Sequence, residues 1–233
     1  MIPKIIHQYW DGDIPESYKK YMDSIRSTNL DFQYFLWDKK SIIESFYDHP
    51  LIPYIKNSNQ PMVCSDISRI ILLDIKGGIY LDSDMVAVNP ISEDILIHNA
   101  FASYESEFHF GQMVANGAVG SIPDSVFVWK LVSEVLEYDM EKIKTLKNSD
   151  SWLYFGPCLW TKIFFDLKCK HIAIYPSWYF IPNHYCDENE TETIGYFTNH
   201  IWQSGYKKPS EEWCKAYALS ALNKNFPSIQ DLK

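Results

Sequence analysis

The sequence predicts an α/β protein in which helices flank a mostly parallel β-sheet. In the first half of the chain, short apolar segments with strand character alternate with longer segments of helical periodicity. This alternation is typical of parallel strands joined by crossing helices. The 233 residues suffice for one sizeable hydrophobic core, so we expect a single domain over residues 1–233.

The first half contains three predicted strands and three predicted helices. Pro15 and Pro61 stand where the first and third helices would begin, and Gly77 follows the end of the third, as helix punctuation requires. The predicted strands are KIIHQYW at 4–10, FQYFLWD at 32–38 and GIYLDSD at 78–84. The predicted helices are PESYKKYMDSIRSTN at 15–29, KKSIIESFY at 39–47 and PMVCSDISRIILLDIK at 61–76.

The second half is less regular. Its pattern predicts strands FASYE at 101–105 and MVANGAV at 113–119, then helices VFVWKLVSEVLEY at 126–138 and GPCLWTKIFFDL at 156–167. The polar segment CDENETET at 186–193 predicts an exposed loop. Residues 210–222 predict an amphipathic helix with Trp213, Tyr217 and Leu219 near one face.

Composition excludes several classes of protein. A net charge of -9 argues against a nucleic-acid-binding surface, which needs clustered Lys and Arg. No segment has the length of a membrane span or a signal sequence. The cysteines are scattered and odd in number, which favours neither a disulfide framework nor a thiolate metal site: Cys64, Cys158, Cys169, Cys186 and Cys214. We therefore expect a cytoplasmic protein.

Two aspartates, Asp82 and Asp84, end an apolar segment and are separated only by Ser83. If the strand continues through them, their carboxylates point to the same side while Ser83 points away. Like charges this close are best accommodated when a cation neutralises both, and Mg²⁺ or Mn²⁺ prefers such oxygen ligands. The carboxyl ends of strands are also where open α/β sheets bind ligands. A solvated acidic turn is the alternative interpretation.

The preceding helix carries a second pair of charged residues. Asp66 and Arg69 are three positions apart and therefore share one edge of this helix. A carboxylate there can accept hydrogen bonds from ribose or sugar hydroxyls, and a guanidinium can bind phosphate. The same spacing is also compatible with a simple ion pair on the helix surface.

Together these segments resemble the DXD-containing sugar-transferase family. That family includes initiating α-1,6-mannosyltransferases of the yeast type and bacterial capsule and O-antigen enzymes, and it is distantly similar to the glucosyltransferase domains of clostridial toxins. The resemblance rests on IPKIIHQYW at 2–10, LWD at 36–38 and above all SDISRIILLDIKGGIYLDSDM at 65–85. Weaker similarity continues through NGAVGSIP at 116–123, GP at 156–157 and HIWQSGY at 200–206.

The resemblance implies a GT-A fold, a nucleotide-sugar donor and Mn²⁺ or Mg²⁺ as cofactor. Asp82, Asp84 and His200 would form the metal site, and the catalytic group would consist of Asp66, Arg69, Asp82, Asp84 and Asn116. The remaining residues implied to bind the donor are His7, Tyr9, Trp10, Tyr80, Ser83, Gly156, Pro157, Trp202, Ser204 and Tyr206. Tyr9 and Trp10 would contact the nucleobase. The family usually ends its last motif with Ser-Trp, whereas this chain has Ser-Gly-Tyr at 204–206.

The implied reaction transfers a hexose from a UDP- or GDP-sugar to an oligosaccharide or lipid-linked saccharide, with retention of anomeric configuration, in capsule, lipopolysaccharide or O-antigen synthesis. Front-face attack and a covalent intermediate both remain open as mechanisms. Peripheral contact with the inner face of the membrane is a further expectation. Two alternatives are an aspartyl-phosphate phosphohydrolase, with Asp82 as nucleophile and Asp84 as general acid, and a noncatalytic carbohydrate-binding module.

Overall fold

The computed structural model describes residues 1–167, 172–184 and 194–201, and a six-stranded mixed β-sheet forms its centre. The strands are β1 (Ile5–Tyr9), β2 (Gln33–Trp37), β3 (Gly78–Leu81), β4 (Met85–Ala87), β5 (Ala100–Tyr104), β6 (Val114–Ser121), β7 (Ile172–Tyr175) and β8 (Thr198–His200). The order in the large sheet is β2-β1-β3-β6-β5-β7. β6 runs antiparallel to both of its neighbours, and the other three strand pairs are parallel. The predicted α/β class with a mostly parallel sheet is confirmed.

The helices of the described residues are α1 (Glu16–Thr28), α2 (Lys39–Ser45), α3 (Ile52–Asn57), α4 (Pro61–Ile75), α5 (Glu107–Phe110), α6 (Val126–Leu136), α7 (Met140–Ile143), α8 (Asn148–Tyr154) and α9 (Pro157–Leu167). They contribute to two core clusters on opposite faces of the sheet, with α4, α6 and α9 in one and α1 in the other. All five helices predicted within this part of the chain are present. Short helices α3, α5, α7 and α8 were not predicted, because one or two turns give too little periodicity to recognise.

Helix α4 is the best-buried helix of the described residues. It begins at Pro61, and apolar residues on several of its faces are fully buried, including Ile67, Ile70 and Leu73. It ends before Gly77, whose φ of +61° and whose contact with the Ser121 carbonyl leave no room for a side chain. A helix buried in this way is held rigidly against the sheet, so Asp66 and Arg69 are held rigidly with it.

The sheet topology brings several predicted site residues to one edge. β1, β3 and β5 are parallel to one another, so their carboxyl ends meet there, together with the amino end of the antiparallel β6. Strands β4 and β8 form a separate antiparallel pair directly after the aspartates, with Met85 opposite His200. Ligands of open α/β sheets bind at this kind of edge.

Two predicted segments, the loop at 186–193 and the helix at 210–222, lie outside the described residues. Among the described residues, no helix combines the length and the apolar character needed to span a membrane.

Candidate functional site

Asp82 and Asp84 lie in a turn between β3 and β4, which corrects the prediction that the strand continues through them. β3 ends at Leu81, and the Met85 amide donates to the Asp82 carbonyl at 3.2 Å. The two carboxylates nevertheless converge, because the turn bends the chain back toward β8. The two carboxylates are therefore close together, as predicted. A turn brings them together, and not the alternation of side chains along a strand.

His200 lies beside both aspartates. Its Nε2 is 3.1 Å from Asp84 Oδ1 and 3.8 Å from Asp82 Oδ2. Strand pairing fixes this position, since Met85 is opposite His200 and the Ile201 amide donates to the Asp84 carbonyl at 2.9 Å. One ligand atom from each of the three side chains lies within 4.8 Å of the others. Two carboxylates and an imidazole, gathered around one point, are a donor set that suits Mn²⁺ or Mg²⁺.

The electrostatics of this group show how strongly it attracts positive charge. Burial lowers the pKa of His200, but Asp84 and Asp82 outweigh burial and raise it to about 10. Burial by itself would raise the pKa of Asp82. Arg69 and His200 lower this pKa by more, so the net shift is downward. The Asp82 carboxylate is thus held in its charged form, and its negative charge favours a cation beside it.

Arg69 connects the two acidic parts of the site. It is 4% exposed, and its Nη2 lies 2.9 Å from Asp66 Oδ1 and 3.0 Å from Asp82 Oδ1. Its Nη1 donates to the Asn116 carbonyl, and the guanidinium carbon lies 4.4 Å from the centre of the Tyr80 ring. The predicted pairing of Asp66 with Arg69 is present, but it is buried, whereas a simple ion pair would lie on the helix surface.

Asp66 uses both carboxylate oxygens within the protein. Oδ1 accepts from Asn116 Nδ2 at 2.9 Å, and Oδ2 accepts from Ser151 Oγ at 2.6 Å. Burial raises the pKa of Asp66, and the Arg69 charge and these hydrogen bonds act in the opposite direction. Sequence reasoning missed Ser151, because it lies 85 residues from Asp66 on the short helix α8.

A distortion of β6 places Asn116 and Gly117. On β5 the register advances from Ala102 to Tyr104, while on β6 it moves from Val119 to Val114, so β6 bulges between these positions. Asn116 turns toward Asp66, and the Gly117 carbonyl accepts from the Asp82 amide at 2.8 Å. A β-carbon on Gly117 would lie 2.5 Å from Asp82 Oδ2. The absence of a side chain at Gly117 therefore leaves room for the Asp82 carboxylate beside Asp84 and His200.

Gly117→Ala is expected to weaken Mn²⁺ binding roughly 10- to 100-fold, since groups that orient metal ligands contribute on that scale. The added methyl group would displace the Asp82 carboxylate. Isothermal titration with Mn²⁺ measures the effect, and thermal unfolding checks that the variant folds. Unchanged Mn²⁺ affinity in a folded variant would contradict the place given to Asp82.

The predicted nucleobase residues lie at the carboxyl end of β1, near the acidic turn. Tyr9 is buried and its hydroxyl donates to Asp11, while the Trp10 indole donates to the Asp13 carbonyl. Trp10 is half-buried and its ring centre is 4.3 Å from that of Tyr18. Gln8 donates to the Asp82 carbonyl at 3.0 Å, which ties this strand end to the acidic turn.

His7 is buried in β1, and its hydrogen bonds favour a structural role over the predicted contact with the donor. Its Nδ1 accepts from the Trp37 indole at 3.1 Å, so its Nε2 carries the proton and donates to the Gly77 carbonyl at 2.9 Å. Burial lowers the pKa of His7 to about 4. The neutral ring thus joins β1 to β2 and to the end of α4.

We expect His7 to make stability depend on pH. Its pKa is about 4 when folded and 6.5 when unfolded, so the unfolded chain binds the proton more readily between these values. The contribution of His7 is complete above about pH 6.5 and decreases toward pH 4, by on the order of 2 kcal/mol at pH 5. Urea unfolding at pH 7 and pH 5 measures this loss, and His7→Gln should remove it. An equal loss in His7→Gln would contradict the assignment.

Four of the other predicted donor residues lie within the described part of the chain: Tyr80, Ser83, Gly156 and Pro157. Tyr80 is buried on β3 with its hydroxyl 2.9 Å from Ser65 Oγ, and Ser83 is partly exposed in the acidic turn. Gly156 and Pro157 lie at the junction of α8 and α9, where a side chain on Gly156 would meet the Trp152 backbone. Trp202, Ser204 and Tyr206 lie outside the described residues.

Residues 15–102 match the family described as the glycosyltransferase sugar-binding region containing DXD motif. This range includes the buried Asp66–Arg69 pair and the acidic turn. Over this range, which is less than half of the chain, the sequence is similar to the DXD-motif glycosyltransferase family. The resemblance to this family, as predicted from the sequence, is confirmed over these residues.

Curated proteins similar to this chain are glycosyltransferases. An uncharacterized glycosyltransferase, L373, of Acanthamoeba polyphaga mimivirus is 32% identical over 131 residues, which cover 53% of this chain and 51% of that protein. The human alpha-1,4-N-acetylglucosaminyltransferase is 26% identical over 169 residues, covering 65% of this chain and 44% of that protein. The chain thus spans about half the length of these two relatives.

A solved structure confirms the GT-A fold of this chain. The ligand-free glycosyltransferase domain of the YGT toxin superposes with a TM-score of 0.54, covering 74% of this chain and 80% of that domain. Its sequence identity is only 9%, so the similarity concerns the fold alone.

Proposed function

We propose that this chain is a retaining, metal-dependent glycosyltransferase that moves a hexose from a nucleotide-sugar to a hydroxyl group of a saccharide. The observation that supports this most is the convergence of Asp82, Asp84 and His200 at the carboxyl edge of the sheet, next to the buried Asp66–Arg69 pair. Nucleotide-sugar transfer requires positive charge next to the departing diphosphate. The carboxylates at this edge would bind a cation that supplies this charge.

Asp82, Asp84 and His200 would hold the cation. When bound, Mn²⁺ or Mg²⁺ supplies the positive charge that stabilises the diphosphate leaving group. Arg69 keeps Asp82 oriented through the contact at 3.0 Å, and Asn116 and Ser151 keep Asp66 in place for the donor sugar. Tyr9 and Trp10 would contact the nucleobase from the end of β1.

Front-face attack is favoured over a covalent intermediate because the carboxylates nearest Arg69 are already engaged. Both oxygens of Asp66 accept hydrogen bonds, and Asp82 is paired with Arg69. In this mechanism the acceptor oxygen forms a bond to the anomeric carbon on the side where the bond to phosphate breaks. The hydroxyl proton passes to the departing diphosphate, so no protein nucleophile is needed.

A panel of UDP-glucose, UDP-galactose, UDP-N-acetylglucosamine and GDP-mannose with Mn²⁺ tests the proposal. Released nucleotide is measured with and without a panel of methyl glycosides, and a glycoside product is analysed for its anomeric configuration. We expect release from at least one donor, loss of release in EDTA, and a retained configuration. Saccharide binding without release would support the carbohydrate-binding module. Hydrolysis of p-nitrophenyl phosphate without nucleotide release would support the phosphohydrolase.

A further inference from the structure

The carboxylate of Glu105 is a buried charged group that the proposed donor site does not use. Glu105 follows the last residue of β5 and is 4% exposed. Its Oε1 lies 3.5 Å from His184 Nε2, which is long for an ion pair with a hydrogen bond. Its Oε2 is buried and has no hydrogen-bond partner among the described residues. A carboxylate in this state has unused acceptor capacity.

Glu105 lies at the same sheet edge as the acidic turn, on the far side of β6. The Asp82 amide donates to the Gly117 carbonyl from one side of β6, and the Glu105 amide donates to the Met113 carbonyl from the other. Two strand spacings separate the ends of β3 and β5, roughly 10 Å. A sugar held at the acidic turn and a second sugar joined to it could span this separation.

A second polar group on β5 is also without a partner. Ser103 lies two residues before Glu105, is fully buried, and its Oγ has no hydrogen-bond partner among the described residues. β5 pairs regularly with β7 from Ala100 to Ser103, so residues two apart share a face of the strand. Ser103 on β5 is therefore a second buried polar group close in the chain to Glu105.

Aromatic side chains pack next to His184, whose Nε2 lies 3.5 Å from Glu105 Oε1. The Phe110 ring lies 5.0 Å from the His184 ring and 6.5 Å from the Trp152 ring. Trp152 follows Ser151, which donates to Asp66 at 2.6 Å. Consecutive residues of α8 thus lie beside Asp66 and beside Phe110. Aromatic rings beside carboxylates suit sugars, which present apolar C–H faces and hydroxyl donors.

We propose that Glu105 binds the saccharide acceptor by accepting hydrogen bonds from its hydroxyl groups, with Ser103 beside it. The proposal rests on the glycosyltransferase function proposed above and identifies the acceptor side of that same site. A buried carboxylate oxygen without a hydrogen-bond donor, such as Oε2, is costly, so its retention is explained if a ligand supplies the missing donor. A cation explains it less well, because the grouping of metal-type ligands found among the described residues does not include Glu105.

The experiment compares two reactions of the same variant. Glu105→Gln keeps the size of the side chain but removes its charge. The first reaction is Mn²⁺-dependent hydrolysis of the nucleotide-sugar, for which water replaces the acceptor. The second is transfer to methyl glycosides of glucose, galactose, mannose and N-acetylglucosamine and to their disaccharides. Glu137→Gln is the control, because Glu137 is an exposed glutamate at the end of α6.

We expect Glu105→Gln to keep hydrolysis and the donor KM within about twofold, and to lower kcat/KM for the glycoside roughly 10- to 100-fold, as for a lost hydrogen bond to a charged group. Most of this decrease in kcat/KM should come from a higher KM for the glycoside. Ser103→Ala should raise the glycoside KM a few-fold without destabilising the protein. Glu137→Gln should match the parent in both reactions.

Three outcomes overturn the proposal. Unchanged transfer in Glu105→Gln shows that Glu105 does not bind the acceptor. Parallel loss of hydrolysis and transfer in folded Glu105→Gln, with Ser103→Ala unaffected, assigns Glu105 to the donor reaction or to structure. A parent that hydrolyses a donor but glycosylates none of the saccharides excludes this acceptor class. If the parent releases nucleotide from no donor at all, the proposed function itself fails.

Discussion

Asp84→Asn is expected to lower metal-dependent nucleotide release at least about 1000-fold, the scale of charge stabilisation that a bound metal ion supplies. Asp84 is 5% exposed, lies 3.1 Å from His200 Nε2, and belongs to the group whose ligand atoms converge within 4.8 Å. The amide of asparagine keeps the size of the side chain and removes the negative charge that attracts the cation. Nucleotide release and Mn²⁺ titration measure the two losses.

Asp48→Asn is the matched control, since Asp48 is an exposed aspartate outside the site. It should retain the release rate and the Mn²⁺ affinity of the parent. Asp84→Asn with parent-like release would remove Asp84 from the chemistry, whatever its Mn²⁺ affinity. Circular dichroism and thermal unfolding would show whether a loss of release reflects loss of the fold.

Arg69→Met is expected to destabilise the fold by about 3–5 kcal/mol and to abolish nucleotide release, because removal of one partner leaves buried charges without compensation. Arg69 neutralises Asp66 and Asp82 from one guanidinium, with both contacts near 3 Å. Arg69→Lys should also fail to restore release, since a single ammonium group cannot reproduce the planar fork that reaches Asp66, Asp82 and the Asn116 carbonyl. Urea unfolding measures the free energy, and nucleotide release measures the function.

Arg26→Met is the control for this prediction, because Arg26 is an exposed arginine in the last turn of α1. Its free energy of unfolding should stay within about 0.5 kcal/mol of the parent value. Equal stability of Arg69→Met and the parent would mean that Asp66 and Asp82 do not depend on Arg69 for charge compensation.

The predicted parts of the fold were those in which a local pattern agrees with its surroundings. Helix α4 was recognised because Pro61, an apolar run and Gly77 all favour the same bounds, and the structure places its end one residue earlier than predicted. The strand prediction at 78–84 was too long, because the apolar part ends at Leu81 and the acidic residues turn toward β8. Short range periodicity does not distinguish a strand from a strand followed by a turn.

The same distinction between local patterns and long-range contacts applies to the residues of the site. The spacing of Asp82 and Asp84, and of Asp66 and Arg69, is local, so the sequence by itself identified these pairs and the charge they would concentrate. The contacts of Ser151 and Gly117 join residues far apart in the chain and were not predicted, whereas the family resemblance had implied His200 beside Asp82 and Asp84.

The sequence by itself determined the alternation of strands and helices and the close spacing of Asp82 and Asp84, because each depends on neighbouring residues. Only the tertiary structure decided that Arg69 is shared between two aspartates, that His7 is held inside the protein, and that Glu105 faces the same edge. Such decisions depend on which strands become neighbours, and strand order is set by the burial of the whole chain.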